Sequence, residues 1–558
     1  MKTHMKTHMK THMKTHMRRT GTTMSPTTRA LTAVGLALTA VGVSGWATGG
    51  DSPVTQETVT VSAEAGTGAE GAAATASSRS PAAKGLDRFY RQRPDWGPCK
   101  DPALAESGTR CAKVTVPLDY AAPKGPTVSL TISRLKATGP KSERRGILQT
   151  NPGGPGGHGL GMPAQLRAKM TPGVAAAYDV IGMDTRGLGE SSPLDCGLDS
   201  LSWFRGAGFD RASFDRVAKK SADDARKCDA KYGDRLAHYS TRNIARDVDV
   251  VRGALGERRT SWFGQSYGTY LGAVYAQMFP ARVDRLVLDS AMNPRDYGLT
   301  MFQAMGPANE KALDDLARWA APRDGTYRLG KTPAAVRATV EGLVRKAAKQ
   351  PIQVGGDRLD HESLPFVLYF LGTDDVDNAE YAGTLRLLVD AAEGRQAEPS
   401  KRLAGLLDAM FRTGPDQTGT GRDYASTLAI LCADSTAPGD AEWYRRAIEK
   451  ARPKQPVFGP FHNAPMPCGW WKQKPREPRT EIDNALPALQ IQATGDTRTT
   501  YEQGLGMHKA MRGSKLVTVP VRTHAVFVGY ANACADKAVN DYLLTGELPK
   551  EDYTCPRG

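Results

Sequence analysis

Gly264-Gln265-Ser266-Tyr267-Gly268 sets one serine between glycines two positions before and two positions after it. A β-type run, Ser261-Trp262-Phe263, leads in, and a helix-type run over 267–278 leads out. A serine on a sharp strand-to-helix turn needs small residues at those two places, because side chains there would meet neighbouring backbone. The turn lifts the hydroxyl above a sheet and next to a helix N-terminus, which favours developing negative charge. The chemistry this predicts is nucleophilic attack on an acyl group. In a glycine-rich chain the pentapeptide occurs by chance often enough that its surroundings must carry the assignment.

Three further segments supply them. Asn151-Pro152-Gly153-Gly154-Pro155-Gly156-Gly157 follows a β-type run ending near Thr150. Its glycines let backbone amides approach a substrate oxygen, so the Gly154 and Tyr267 amides are the expected oxyanion donors. A phosphate-binding loop would end in Gly-Lys-Ser/Thr, whereas this one continues Gly157-His158-Gly159. Asp496 follows a late β-type run, and His524 follows the next. An acid there fixes the tautomer of a histidine that takes the serine proton. The order Ser266, Asp496, His524 is the chain order of α/β-hydrolase triads. Asp184-Thr185-Arg186, after another β-type run, is expected to brace these loops, with Arg186 pairing Asp184, and His508 is expected to face solvent from a helix.

The elements that must hold these residues alternate. Strands are predicted at 113–116, 128–134, 146–150, 179–183, 261–263, 285–289, 488–493 and 515–519, with helices at 243–255, 267–278 and 501–511. This is an α/β pattern with a mostly parallel sheet. Residues 296–480 read differently. They are mainly helix-patterned, then Pro-rich around 453–478, as an inserted helical cap would be. The predicted organisation is a core over 86–295, a cap over 296–480, and a return to the core over 481–558.

Seven basic residues and no acid lie within residues 1–50, so nearly half of the net charge of +15 belongs to that segment. The rest has no Lys/Arg run interleaved with aromatics, and no nucleic-acid partner is expected. Residues 1–16 repeat Met-Lys-Thr-His four times. They read as an upstream extension with translation starting at Met17 or Met24, or as a metal-binding tract. Arg18-Arg19, the apolar run from Ala30 to Val43 and the small residues around Ala47 follow the order of a secretory signal, giving residues 1–47 as extension and signal. That run is short for a membrane span, so no stable membrane association is expected once the signal is cleaved. Residues 48–85, rich in Ala, Gly, Ser and Thr, read as a disordered propeptide or linker. Eight cysteines without a CxxC pair by proximity as Cys99–Cys111, Cys196–Cys228, Cys432–Cys468 and Cys534–Cys555, as suits an exported, extracellular protein.

With these residues in view, Asn151–Gly157 resembles the Gly-Gly-Pro-Gly-Gly signature of prolyl iminopeptidases. The 264–272 stretch, Asp496, His524 and the cysteine-bearing tail resemble the secreted tripeptidyl aminopeptidases. The resemblance covers about residues 90–558. It implies an α/β-hydrolase domain with a helical cap, no cofactor, peptide substrates, and the triad and oxyanion donors already named. Thr523-His524-Ala525 departs from the Gly-His-Gly at that place in relatives. An aminopeptidase must also hold a free ammonium, and Glu310 and Asp434 in the cap segment are the expected carboxylates. A carboxylesterase would use the same triad with an apolar cap and no amine site. A binding protein on an inactive hydrolase scaffold is the alternative from another class.

Overall fold

A computed structural model of the chain describes residues 85–198, 205–411 and 420–558. The expected signal and nearly all of the linker lie outside them. Ten of the twelve described strands form one sheet: β1 (Gly97–Pro98), β2 (Arg110–Pro117), β3 (Thr127–Leu135), β4 (Gly146–Asn151), β5 (Tyr178–Met183), β6 (Thr260–Gln265), β7 (Val283–Asp289), β10 (Ala488–Ala493), β11 (Ser514–Val519) and β12 (Tyr553–Thr554). The strand order is β1-β2-β3-β5-β4-β6-β7-β10-β11-β12. The β1/β2, β2/β3 and β3/β5 pairs are antiparallel, and every pair from β5 to β12 is parallel. The remaining strands, β8 (Ile352–Val354) and β9 (Asp357–Leu359), form a small hairpin outside the sheet.

Parallel strands carry helices on both faces and must be apolar on both. Accordingly β4 and β10 are buried along their whole length. One apolar cluster joins Leu148, Phe263, Val287, Ile491 and Val517 to helix Ala533–Thr545. Another joins Val114, Ile132, Trp262 and Leu286 to helices Thr241–Ala254 and Tyr267–Met278.

The connection from β7 to β10 is mainly helical. It holds helices Leu299–Ala320, Pro333–Lys349, Leu364–Leu371, Asn378–Ala392, Lys401–Phe411, Thr420–Asp434 and Ala441–Ala451. An apolar cluster of its own forms around Leu316, Val340, Leu368, Leu385 and Leu407. Hairpin β8–β9 interrupts these helices, and three-residue strands leave no period to read. The eight cysteines are bonded 99–111, 196–228, 432–468 and 534–555.

Arg186 does not pair with Asp184. It is fully buried and forks onto Asp247, with Nε 2.7 Å from Oδ2 and Nη2 2.6 Å from Oδ1. Its other N–H groups donate to the Pro117, Leu118 and His238 carbonyls. Asp184 instead accepts the Gly159 and Glu190 amides at 2.9 and 3.1 Å, bracing the loop after β4. His508 does not simply face solvent. It bridges the Ser514 hydroxyl (2.7 Å) and Asp552 (3.0 Å). Ser514 is buried and donates to the Met511 carbonyl, so this second Asp–His–Ser string is structural.

Candidate active site

Ser266 sits between β6 and helix Tyr267–Met278 with φ 57° and ψ −125°. A non-glycine residue there carries about 1–3 kcal/mol of backbone strain, which the surrounding structure must hold. The flanking glycines are what permit it. A Cβ at Gly264 would overlap the Gly268 carbonyl oxygen, and one at Gly268 would overlap the Asn151 carbonyl oxygen. Trp262 Nε1 donates to that same Gly268 carbonyl at 3.0 Å. The Ser266 amide donates to the Asp289 carbonyl at the end of β7, at 3.0 Å.

Asp496 and His524 follow β10 and β11, so all three residues lie beyond the carboxyl ends of parallel strands of one sheet, with β7 between β6 and β10. His524 Nδ1 lies 2.9 and 3.1 Å from the Asp496 carboxylate oxygens. Both side chains are almost wholly buried. Asp496 also accepts the Arg498 and Thr499 amides at 2.8 and 3.0 Å and the Thr499 hydroxyl at 2.8 Å. With its acceptors engaged in this way, the carboxylate keeps the Nδ1 proton on His524 and leaves Nε2 as the unprotonated nitrogen. The departure at Ala525, where φ is 74°, is supported locally: the Ala525 amide donates to the Ser290 hydroxyl at 2.9 Å. Asp289 completes the support. Its carboxylate accepts the Val526 and Phe527 amides at 2.9 and 2.8 Å. Burial pushes this acid up to about 6, although the two amides and His524 pull the other way.

The loop after β4 lies against the serine turn. A Cβ at Gly153 would stand 2.6 Å from the Gln265 carbonyl oxygen and 2.7 Å from Ser266 Cβ. The Gly153 amide is taken by Asn151 Oδ1 at 2.9 Å. The Gly154 and Tyr267 amides have no such partner among the described residues. Helix Thr420–Asp434 grips this loop: Thr427 Oγ1 donates to the Pro155 carbonyl at 2.7 Å, and Asp423 Oδ2 lies 2.8 Å from His158 Nε2. Asp184, 3.8 Å from Nδ1, and Asp423 together raise the half-exposed His158 to about 10.

Neither carboxylate expected to bind an amine is free to do so. Glu310 is buried; its Oε1 accepts the Val457 and Phe458 amides at 2.9 Å each, and its Oε2 pairs with Arg337 at 2.6 Å. Asp434 accepts the Thr241 amide at 2.8 Å and the Thr241 hydroxyl at 2.5 Å, and burial lifts it to about 7. Since the Thr241 hydroxyl proton goes to Asp434, the Tyr267 hydroxyl donates to Thr241 at 2.7 Å. Both residues are structural anchors whose partners are remote in sequence.

A cavity of about 90 Å³ opens among the helices, lined by Phe302, Met305, Phe366, Tyr369, Tyr424 and Phe461. His462 in its wall is held neutral by burial, down to about 3. The Arg498 guanidinium lies 5.3 Å from the Tyr369 ring centroid, linking the cavity to the Asp496 turn. Sequence reasoning missed Asp289, Thr499 and this aromatic cavity. Asp289 carried the same signal as Asp496, an acid closing a strand.

A family model described as alpha/beta hydrolase fold matches residues 150–369, and one described as TAP-like protein matches residues 455–555. The chain is 35% identical to a tripeptidyl aminopeptidase of Streptomyces coelicolor, over 84% of this chain and 87% of that protein. It is 28% identical to serine protease Hip1 of Mycobacterium tuberculosis, over 83% and 90%. It is 29% identical to carboxylesterase B of Mycobacterium tuberculosis, over 82% and 89%. The chain belongs to the TAP-like family of α/β hydrolases, the family of the tripeptidyl aminopeptidase and serine protease it matches.

Proposed function

We propose that the protein is an exported serine exopeptidase that releases short pieces from free peptide N-termini through an acyl-enzyme on Ser266. The observation that carries this reading is the buried His524–Asp496 pair, whose loop Asp289 ties to the strained Ser266 turn. The 35% identity to a tripeptidyl aminopeptidase supports it. His524 Nε2 takes the Ser266 proton as Oγ attacks the scissile carbonyl. The Gly154 and Tyr267 amides donate to the oxyanion. His524 then gives the proton to the leaving amine, and water, activated by the same imidazole, hydrolyses the acyl-enzyme.

Residues 296–480 act as the cap, and its aromatic cavity takes an apolar side chain of the released piece. Asp423 replaces Glu310 and Asp434 as the acceptor for the substrate ammonium. Its Oδ1 is buried without a hydrogen-bond partner among the described residues, and its neighbour Tyr424 lines the cavity. Four disulfides suit an oxidising compartment and support export.

The test is a matched chromogenic set: a free-amine tripeptide, its N-acetylated twin, a single-residue prolyl substrate and a short-chain ester. Cleavage of the free tripeptide but not the acetylated one is expected, with discrimination lost in Asp423→Asn. The apolar cavity favours one second reading, a carboxylesterase, and cleavage of the ester alone would select it. A Ser266→Ala variant that kept full activity would sink both.

A further inference from the structure

A second cavity, about 370 Å³, lies at the opposite end of the sheet, where β4, β6 and β7 begin. Two identical triplets lead into it: Glu143-Arg144-Arg145 before β4 and Glu257-Arg258-Arg259 before β6. These strands are parallel neighbours with Leu148 opposite Ser261. Arg145 stands one residue before β4, and Arg258 and Arg259 stand just before β6, at the same end of the two strands. All three arginines are exposed, and an anion held between them would relieve the repulsion of their like charges.

The acids of the cavity do not supply that anion. Glu257 Oε1 is 2.6 Å from Arg144 Nη2, which also reaches Asp179 at 3.0 Å. Asp284 Oδ2 is 2.5 Å from Arg285 Nη1. Arg285 is buried, and donates from Nε to the Tyr542 carbonyl and from Nη1 to the Tyr178 hydroxyl, both at 3.1 Å. It therefore forms a fixed wall whose charge Asp284 already matches. Arg145, Arg258 and Arg259 line the same space and have no carboxylate partner among the described residues.

The geometry points to a phosphate-binding site: a cavity where Arg145, Arg258 and Arg259 converge on a phosphoryl group carrying two or more negative charges, either a free phosphate or a unit of a polyphosphate chain. Planar guanidinium forks match phosphate oxygens pairwise, and three unpaired forks suit a dianion better than a single carboxylate. The site is independent of catalysis. β6 has six residues, so at about 3.3 Å per residue its start lies roughly 20 Å from Ser266.

The test is calorimetric titration of the whole protein with inorganic pyrophosphate at constant ionic strength, with sodium chloride as the control and long-chain polyphosphate as a second arm. Saturable single-site binding is expected. It should weaken by roughly tenfold or more in Arg145→Gln/Arg258→Gln, with circular dichroism and thermal unfolding unchanged to show that the fold is intact. Pyrophosphate binding without competition from polyphosphate identifies a free phosphate as ligand, whereas competition identifies the chain; both support the site. Absence of saturable binding by either probe, or equal affinity in the double variant, would overturn it.

Discussion

Asp289 holds Ser266 with one end and the segment after His524 with the other. Its carbonyl accepts the Ser266 amide at 3.0 Å, and its carboxylate accepts the Val526 and Phe527 amides. The nucleophile turn and the histidine loop are thereby referred to one buried residue. Asp289→Asn keeps the size but offers one accepting oxygen, and turns an NH₂ towards a backbone N–H. The expected result is a fall in kcat with KM little changed, and about 1–3 kcal/mol lost in urea unfolding.

The same carboxyl gives a pH signature. Its folded value of about 6 lies above the roughly 4 of an unfolded aspartate. Between those values the unfolded chain has lost this proton and the folded chain has kept it. The group's contribution to stability therefore declines with rising pH through that window and is flat above it. Once protonated, one oxygen becomes a donor facing an amide, so activity should fall below about pH 6. Comparing pH–rate profiles of the wild type and Asp289→Asn isolates this component.

Asp496→Asn should lower kcat by roughly 10³–10⁴, because an amide at that place favours the wrong imidazole tautomer. Thr499→Val removes only the hydroxyl that donates to Asp496. It should cost about tenfold, as one lost hydrogen bond of about 1.5 kcal/mol does. Equal losses from the two changes would contradict the ranking.

Gly153→Ala sets a methyl against the Gln265 carbonyl and Ser266 Cβ, at a position where φ is 97°. Backbone must move, and the adjacent Gly154 amide moves with it. Acyl-enzyme formation, read as a burst with a chromogenic substrate, should be lost or slowed at least 100-fold, while a variant that still folds keeps its disulfides.

His158 predicts an alkaline limb. Its folded value of about 10 exceeds the free value of about 6.5. Its stabilising contribution is therefore complete below about pH 6.5 and is lost as pH rises towards 10. The ring is half exposed and water screens it, so the loss is about 1 kcal/mol or less. In His158→Gln the difference in melting temperature from the wild type should shrink steadily over that range.

The strand-to-helix turn at Ser266 was legible because its requirements are local. Gly264, Gly268 and the β-to-helix switch all fall within a few residues of Ser266. The placement of Asp496 and His524 after β10 and β11 was legible through strand endings. The amine-binding carboxylates were not, because what disqualifies Glu310 is Arg337 and the Val457 and Phe458 amides, and what disqualifies Asp434 is Thr241. Arg186 likewise found Asp247 rather than its near neighbour, since a buried guanidinium goes to the carboxylate that can accept it as a fork. Short strands such as β8 and β9 hold too few residues to reveal a period.

Helix Thr420–Asp434 touches the glycine loop through Thr427 and Asp423, and reaches the Tyr267 hydroxyl through Asp434 and Thr241. Cys432 within it is bonded to Cys468. Drift in this helix would shift both the Gly153–Gly157 loop and the Ser266–Tyr267 turn at once. Recombining caps between relatives should therefore fail more often when this helix is exchanged than when Pro333–Lys349 is, because selectivity and turnover share one part and neither can be tuned alone.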